Sequence, residues 1–253
     1  MLFNKNKIRI FFADPDHNSE FTNTSNESRL RPVPFGIARI AAYSKKKIPQ
    51  IEFKLFKNMK KMLEDLKNEE PNILAISHYF WNTKLSHRIA RFAKELYPNI
   101  LIVMGGPNLD RNEESFEEYS KNYPFVDFVV IGEAEFVMNR IIETFINNNL
   151  DVKKSKDNGV SGAFSIIDKG KINYINDNHR TRSLDEFPSP YKTGLLKEFL
   201  IEGFSPIIET VRGCPYRCAF CEQGADFFTK LAMASTDYVF DELEYIRKYN
   251  KSD

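Results

Sequence analysis

A chain of 253 residues, 42% hydrophobic and 13% aromatic, has material for one complete domain and part of a second. Its 36 basic and 35 acidic residues leave a net charge of +1, which gives no electrostatic case for nucleic acid or an anionic membrane surface. The longest apolar stretches, Ile8 to Ala13 and Ile100 to Met104, are far too short to span a bilayer, and the N-terminus has no signal-peptide pattern.

From the start to about residue 150, strand-like and helix-like segments alternate. Five strands are predicted: Ile8 to Ala13, Ile51 to Phe56, Ile73 to Ser77, Ile100 to Gly105, and Phe125 to Ile131. Helices are predicted between and after them at Phe35 to Lys47, Met59 to Lys67, Leu85 to Tyr97, a short polar helix near Glu113 to Tyr119, and Glu135 to Asn147. This alternation predicts an α/β fold, a flavodoxin-like (Rossmann-like), doubly wound, five-stranded parallel sheet with helices on both faces. Leu85, Ile89, Phe92 and Leu96 fall at helical spacing and form a core stripe without chemistry.

Such a sheet binds ligands beyond the carboxyl ends of its strands. The segments expected there are Asp14-Pro15-Asp16-His17, Ser77-His78-Tyr79-Phe80-Trp81-Asn82, Gly105-Gly106-Pro107-Asn108 and Gly132-Glu133-Ala134-Glu135. Trp81, the single tryptophan, serves either a ligand surface or a core or domain interface. His78, His87 and His179 read as structural or exposed.

Residues 151–204 read as a connector between the first domain, 1–150, and a third segment, 205–253. Gly162 to Ile167 and Lys171 to Ile175 flank Asp168-Lys169-Gly170, a hairpin signal. A proline-punctuated stretch follows, including Pro188-Ser189-Pro190-Tyr191. The runs Lys45-Lys46-Lys47 and Lys153-Lys154 are solvated faces.

Ser205 to Val211 reads as a short apolar strand, and Gly213 permits a sharp exit from it. The only three cysteines, Cys214, Cys218 and Cys221, then fall within eight residues. A closed structural zinc site wants four protein ligands, and a disulfide framework an even count. Three closely spaced thiols fit an iron-sulfur cluster, zinc with a borrowed fourth ligand such as histidine, or three unrelated buried thiols. Ser235 and Thr236 offer caps for a helix carrying Val239, Leu243 and Ile246 on one face. Reduced thiols without an export signal place the chain in the cytoplasm.

The spacing CxxxCxxC, with Phe220 just before the last cysteine, resembles the cluster loop of the radical S-adenosylmethionine (SAM) enzymes. Together with Pro34-Phe35-Gly36-Ile37-Ala38, the serine ending the third strand, Gly105-Gly106-Pro107, Asp127 leading into Gly132-Glu133-Ala134-Glu135, and Pro188-Ser189-Pro190-Tyr191, nearly the whole chain is similar to the cobalamin-dependent radical SAM proteins. The resemblance implies that Cys214, Cys218 and Cys221 hold three irons of a 4Fe-4S cluster whose fourth iron binds SAM, that Phe220 shields the cluster, and that Arg212 and Gly213 shape its loop. It also implies cobalamin contacts at Ser77, Gly105, Gly106 and Glu133, reductive generation of a 5'-deoxyadenosyl radical, methyl transfer to a small-molecule substrate, and an electron donor such as flavodoxin or ferredoxin. Residues 205–253 correspond to the first part of a radical SAM barrel, so the chain reads as a portion of a longer enzyme. One departure is plain: the pattern DxHxxG after the first strand is missing, and His17 is not assigned as a cobalt ligand. The competing readings are a non-catalytic corrinoid-binding module and a zinc-binding interaction protein.

Overall fold

The computed structural model describes residues 7–16, 31–109, 111–177, 179–221 and 226–251. Their contacts divide the chain into two compact units, one from residues 1–27 and 44–177, the other from 28–43 and 178–253. His17 lies outside the described residues.

The first unit is built on a sheet ordered β2-β1-β3-β4-β5-β6-β7. Strands β1 (Ile8–Ala13), β2 (Ile51–Phe56), β3 (Ile73–Ser77), β4 (Leu101–Gly105) and β5 (Phe128–Val130) run parallel. β3 is buried along its whole length and β1 and β4 nearly so, as continuous apolar runs in a sheet covered on both faces must be. β2 at the edge exposes Glu52 and Lys54, charges of the kind that discourage pairing with another sheet. Around the sheet lie α2 (Met59–Asn68), α3 (Thr83–Leu96), α4 (Glu113–Asn122), α5 (Ala134–Asn147) and α6 (Val152–Asn158), while α1 (Phe35–Lys47) is divided between the two units. The contacts of α1 up to Tyr43 place that part of it in the second unit. Asn58, Asn112 and Asp151 cap α2, α4 and α6 by accepting a backbone N–H three residues on.

The expectation of five strands is corrected to seven. The hairpin assigned to the connector, β6 (Ala163–Asp168) and β7 (Lys171–Ile175), extends the sheet, with β6 antiparallel to β5 and β7 antiparallel to β6. The reason is physical: β5 would otherwise leave a row of backbone groups unpaired at the sheet edge. Phe164 of β6 also stacks on Phe116 of α4 with centroids 4.6 Å apart. β5 itself begins later than predicted, after Asp127. There the buried carboxylate accepts the Ile102 N–H at 2.9 Å and pairs with Lys94 at 2.7 Å and Lys156 at 3.4 Å.

In the second unit the predicted strand from Ser205 keeps ladder pairing only at its ends. Ser205 bridges Pro32, and β8 (Val211–Arg212) pairs with β9 (Ala232–Met233). Between them the Tyr191 hydroxyl donates to the Ile207 carbonyl at 2.7 Å and accepts the Ile207 N–H at 3.0 Å, standing in for a neighbouring strand. A short helix α7 (Lys197–Ile201) precedes this segment, and α8 (Thr236–Tyr249) ends it. As expected, Ser235 caps α8, accepting the Tyr238 N–H at 3.2 Å. The buried side of α8 carries Glu242 and Ile246, whereas Leu243 is exposed. Among the described residues no helix is long and apolar enough to cross a membrane.

Candidate functional site

Ser77, Gly105 and Val130 stand side by side in register at the carboxyl ends of β3, β4 and β5. The Ser77 hydroxyl donates to Asp14 Oδ1 at 2.6 Å and accepts from Asn82 Nδ2 at 3.1 Å. Asp14, just past β1, also takes the ammonium of buried Lys57 at 2.7 Å, so a carboxylate and an ammionium are neutralised together at the rim. Asn82 is fully buried: its Nδ2 also reaches the Pro15 carbonyl at 3.3 Å, and its Oδ1 accepts the Tyr79 N–H at 2.8 Å. Asp14, Lys57 and Asn82 were not singled out as site residues by sequence. Their types suit turns and surfaces as readily as a buried network; Asp14 and Asn82 fall in the segments expected at the rim without an assigned role, and Lys57 carried no signal.

Of the two rim glycines, Gly106 has an intramolecular reason to be glycine. Gly106 lies at φ +143°, where an added Cβ would stand 2.2 Å from the His78 carbonyl oxygen, and a Cβ on Gly105 would meet Val130 at 3.3 Å. The His78 N–H donates to the Gly105 carbonyl at 2.7 Å, drawing the β3 and β4 loops together. Beneath them His78 and His87 are buried, their rings 5.0 Å apart. His87 Nδ1 lies 2.8 Å from the Thr83 carbonyl, which can only accept, so this nitrogen carries the proton. Its Nε2 is then an acceptor for the Tyr119 hydroxyl at 2.9 Å, for which Met104 Sδ at 3.2 Å is the weaker alternative. Asn108 Nδ2 approaches His78 Nε2 at 3.1 Å and donates to Thr83 Oγ1 at 2.7 Å. Burial, reinforced by the charge His87 would carry, depresses His78 to about 4. Burial likewise brings His87 to about 4, against the opposing Thr83 hydrogen bond. Both are neutral structural imidazoles, in line with their sequence reading.

Above this network the rim is aromatic and open. Trp81 stacks on Tyr79 with centroids 4.5 Å apart and planes 6° from parallel. Trp81 is 54% exposed and Phe80 78% exposed, so within its unit Trp81 belongs to a surface and not to the core. Glu133 is buried as the N-cap of α5, near the positive end of that helix. A flat, largely apolar ligand suits exposed aromatic faces on a rigid hydrogen-bonded floor. That much of the rim fits a corrin, while Ser77, Gly105 and Gly106 have partners within the chain.

The cysteine loop follows β8. Gly213 at φ +104° is a position where a Cβ would come within 2.5 Å of the Lys230 carbonyl oxygen, and the Cys214 N–H donates to the Phe228 carbonyl at 2.9 Å. The Cys221 N–H closes a turn onto the Cys218 carbonyl at 3.0 Å. All three thiols are free; Cys214 is half-buried, Cys218 and Cys221 are exposed, and Phe220 is 94% exposed. Among the described residues no three His, Cys, Asp or Glu side chains are arranged to hold a metal ion. In donor type the three free thiols suit a thiolate-bound cluster, on a segment anchored at its first cysteine, but they are not brought together as a ligand set. His179 is exposed, in keeping with its reading.

Residues 26–142 match the B12 binding domain family. The chain is 30% identical over 191 residues to TokK, a cobalamin-dependent radical SAM methyltransferase of Streptomyces tokunonensis, across 73% of this chain and 27% of the relative. It is 28% identical over 191 residues to the 2-(S-pantetheinyl)-carbapenam-3-carboxylate methyltransferase of Streptantibioticus cattleyicolor, with the same 73% and 27% coverage. The chain thus spans about a quarter of the length of these relatives. In fold it is similar to OxsB, a cobalamin-dependent S-adenosylmethionine radical enzyme solved with aqua-cobalamin and S-adenosylmethionine bound, with a TM-score of 0.71 and 17% identity over 97% of this chain and 32% of that one. Through the B12 binding domain match and these relatives, the chain is similar to the cobalamin-binding-domain radical SAM proteins.

Proposed function

We propose that this chain is the corrinoid-binding and cluster-bearing part of a radical SAM methyltransferase that works in the cytoplasm. The observation that carries the reading is the loop: in a chain with this similarity, the only three cysteines fall within eight residues, all free and two of them exposed, after a strand end fixed by Gly213. Cys214, Cys218 and Cys221 supply the thiolates for a 4Fe-4S cluster. Arg212 and Gly213 hold the loop's entry, and Phe220 covers the cluster from solvent. When bound, the cluster and the corrin supply one-electron reduction of SAM and a carrier for the methyl group.

On the cobalamin side, Phe80 and Trp81 offer the apolar surface against which a corrin packs. Ser77, Gly105, Gly106 and Glu133 keep the rim in shape beneath it. Asp14 and Asn82 share that task, since they tie the loops after β1 and β3 to the Ser77 hydroxyl. The protein's part is to place and shield, because the difficult chemistry is the cofactors' own. Substrate recognition and electron delivery from a flavodoxin or ferredoxin belong to the full-length enzyme.

The test is anaerobic reconstitution of the chain with iron, sulfide and cobalamin, followed by metal analysis and electronic spectra. The expected result is close to four irons per chain for a 4Fe-4S cluster, with a broad brown absorption lost in Cys218→Ala, and cobalamin retained on gel filtration by both proteins. Cobalamin retention without iron would replace this reading with a non-catalytic corrinoid module. Zinc in place of iron would sink it.

A further inference from the structure

Arg39, in the second turn of α1, is 1% exposed, the largest fully buried side chain among the described residues. A guanidinium does not shed its proton at ordinary pH, so its burial calls for anions or aromatic faces around it. The second unit provides both. Arg39 Nη1 donates to Glu209 Oε2, and the guanidinium lies 4.4 Å from the centroid of Phe35. Glu209 is shared with Arg212, whose Nε donates to Oε1 at 2.9 Å and whose Nη2 donates to Oε2 at 3.0 Å. The Arg212 guanidinium in turn lies 5.3 Å from the Phe187 ring, and Phe187 meets Tyr43 edge-on at 5.4 Å. Tyr43 is one turn beyond Arg39 on α1, so the helix grips this segment through two routes that meet at Arg212.

Burial pushes the Glu209 carboxyl up, but the hydrogen bond and charge of Arg212 and the charge of Arg39 outweigh it and hold Glu209 below the usual carboxylate range. The bridge between the two guanidiniums is therefore ionised. Glu242, buried and bonded by Ser189 at 2.7 Å, lies close enough to feel the Arg39 charge as well.

Arg212 stands two residues before Cys214. Between them is Gly213, walled by the Lys230 and Phe228 carbonyls, and beyond it the Cys214 N–H is held by Phe228. The first cysteine is thus fixed from two sides, while the other two are exposed. We propose that Arg39 is a positioning residue for the cysteine loop: through Glu209 and Arg212 it sets the backbone of Cys214, and with it the geometry in which the three thiolates take up iron. This rests on the cluster reading of the loop. The helix that precedes the corrinoid sheet's second strand thereby contributes to the iron site, a role that its place in the sequence does not suggest.

The test uses the whole chain with Arg39→Met, Arg39→Lys and Glu209→Gln, and Phe145→Ala in the first unit's core as a control for lowered stability alone. Alkylation of each cysteine in the iron-free protein is followed by peptide mass spectrometry, and iron content and the electron paramagnetic resonance of the reduced cluster are measured after reconstitution. The expected result is alkylation of Cys214 severalfold faster, and bound iron at least halved with a broadened spectrum, in Arg39→Met and Glu209→Gln. Arg39→Lys recovers most of the iron, and Phe145→Ala changes neither readout. Wild-type Cys214 reactivity together with full iron and an unaltered spectrum in a folded Arg39→Met protein would overturn the proposal. Should that variant not fold, the same outcome in Glu209→Gln would overturn it. If the wild-type chain takes no iron while the variants still unmask Cys214, the cluster reading fails and the positioning role stands.

Discussion

Gly106 and Gly36 show how little the residue type alone says about a glycine's purpose. At Gly106 a methyl group would collide with the His78 carbonyl oxygen at 2.2 Å in a backbone conformation that side chains rarely adopt. Gly106→Ala should destabilise the chain by about 2–4 kcal/mol in urea unfolding and abolish cobalamin retention. At Gly36 an added Cβ meets nothing within 4 Å, and Gly36→Ala should be neutral or stabilising by up to about 1 kcal/mol. The buried histidines make a second prediction at this scale. Each has a folded-state value near 4 against 6.5 for a free imidazole. The unfolded chain therefore binds their protons first as pH falls. Stability is full above pH 6.5 and is lost as pH falls from there through 4. Between pH 7.5 and 5 the loss should be about 2 kcal/mol per imidazole, read by denaturant melts at each pH. His87→Gln should flatten the profile by about half, and an unchanged slope would count against this assignment.

At the level of elements, the hairpin is the instructive case. Its turn is visible in Asp168-Lys169-Gly170, and β6 begins with small and aromatic residues that alternate poorly with polar ones. Those local signals mark two antiparallel strands but do not name their neighbour. Pairing of Phe128 with Ser165, Val129 with Phe164 and Val130 with Ala163 makes the hairpin part of the main sheet. Phe164 is fully buried against Phe116 and Tyr119. Phe164→Ala should cost about 3–5 kcal/mol and unfold the sheet as one cooperative unit in a thermal melt. A hairpin that merely linked two domains would lose its own order and leave the sheet's transition in place.

At the scale of the whole chain, exposed apolar side chains gather in the second unit. Val211 and Met233 face each other across the β8–β9 pair, and Phe240 and Leu243 lie three residues apart on α8; all four are exposed. Apolar surface of this kind favours association. The 253-residue chain should sediment with a concentration-dependent increase in mass, and Phe240→Lys with Leu243→Lys should reduce it without lowering the melting temperature. A monomer at all concentrations would show that these side chains do not act as a patch.

The sequence by itself determined the first five strands, the helices between them and the thiol loop. Long apolar runs, helical periodicity, caps such as Ser235, and the spacing of three cysteines are properties of neighbouring residues. Tertiary structure decided the rest. It made the hairpin an edge of the main sheet, turned Ser77 from a bare ligand candidate into the centre of an Asp14–Lys57–Asn82 network, and gave the Tyr191 hydroxyl the work of a missing strand at Ile207. It also joined Arg39 to Glu209 across 170 residues. A polar side chain advertises its capacity to donate or accept, never its partner, and only burial in a packed interior forces that choice.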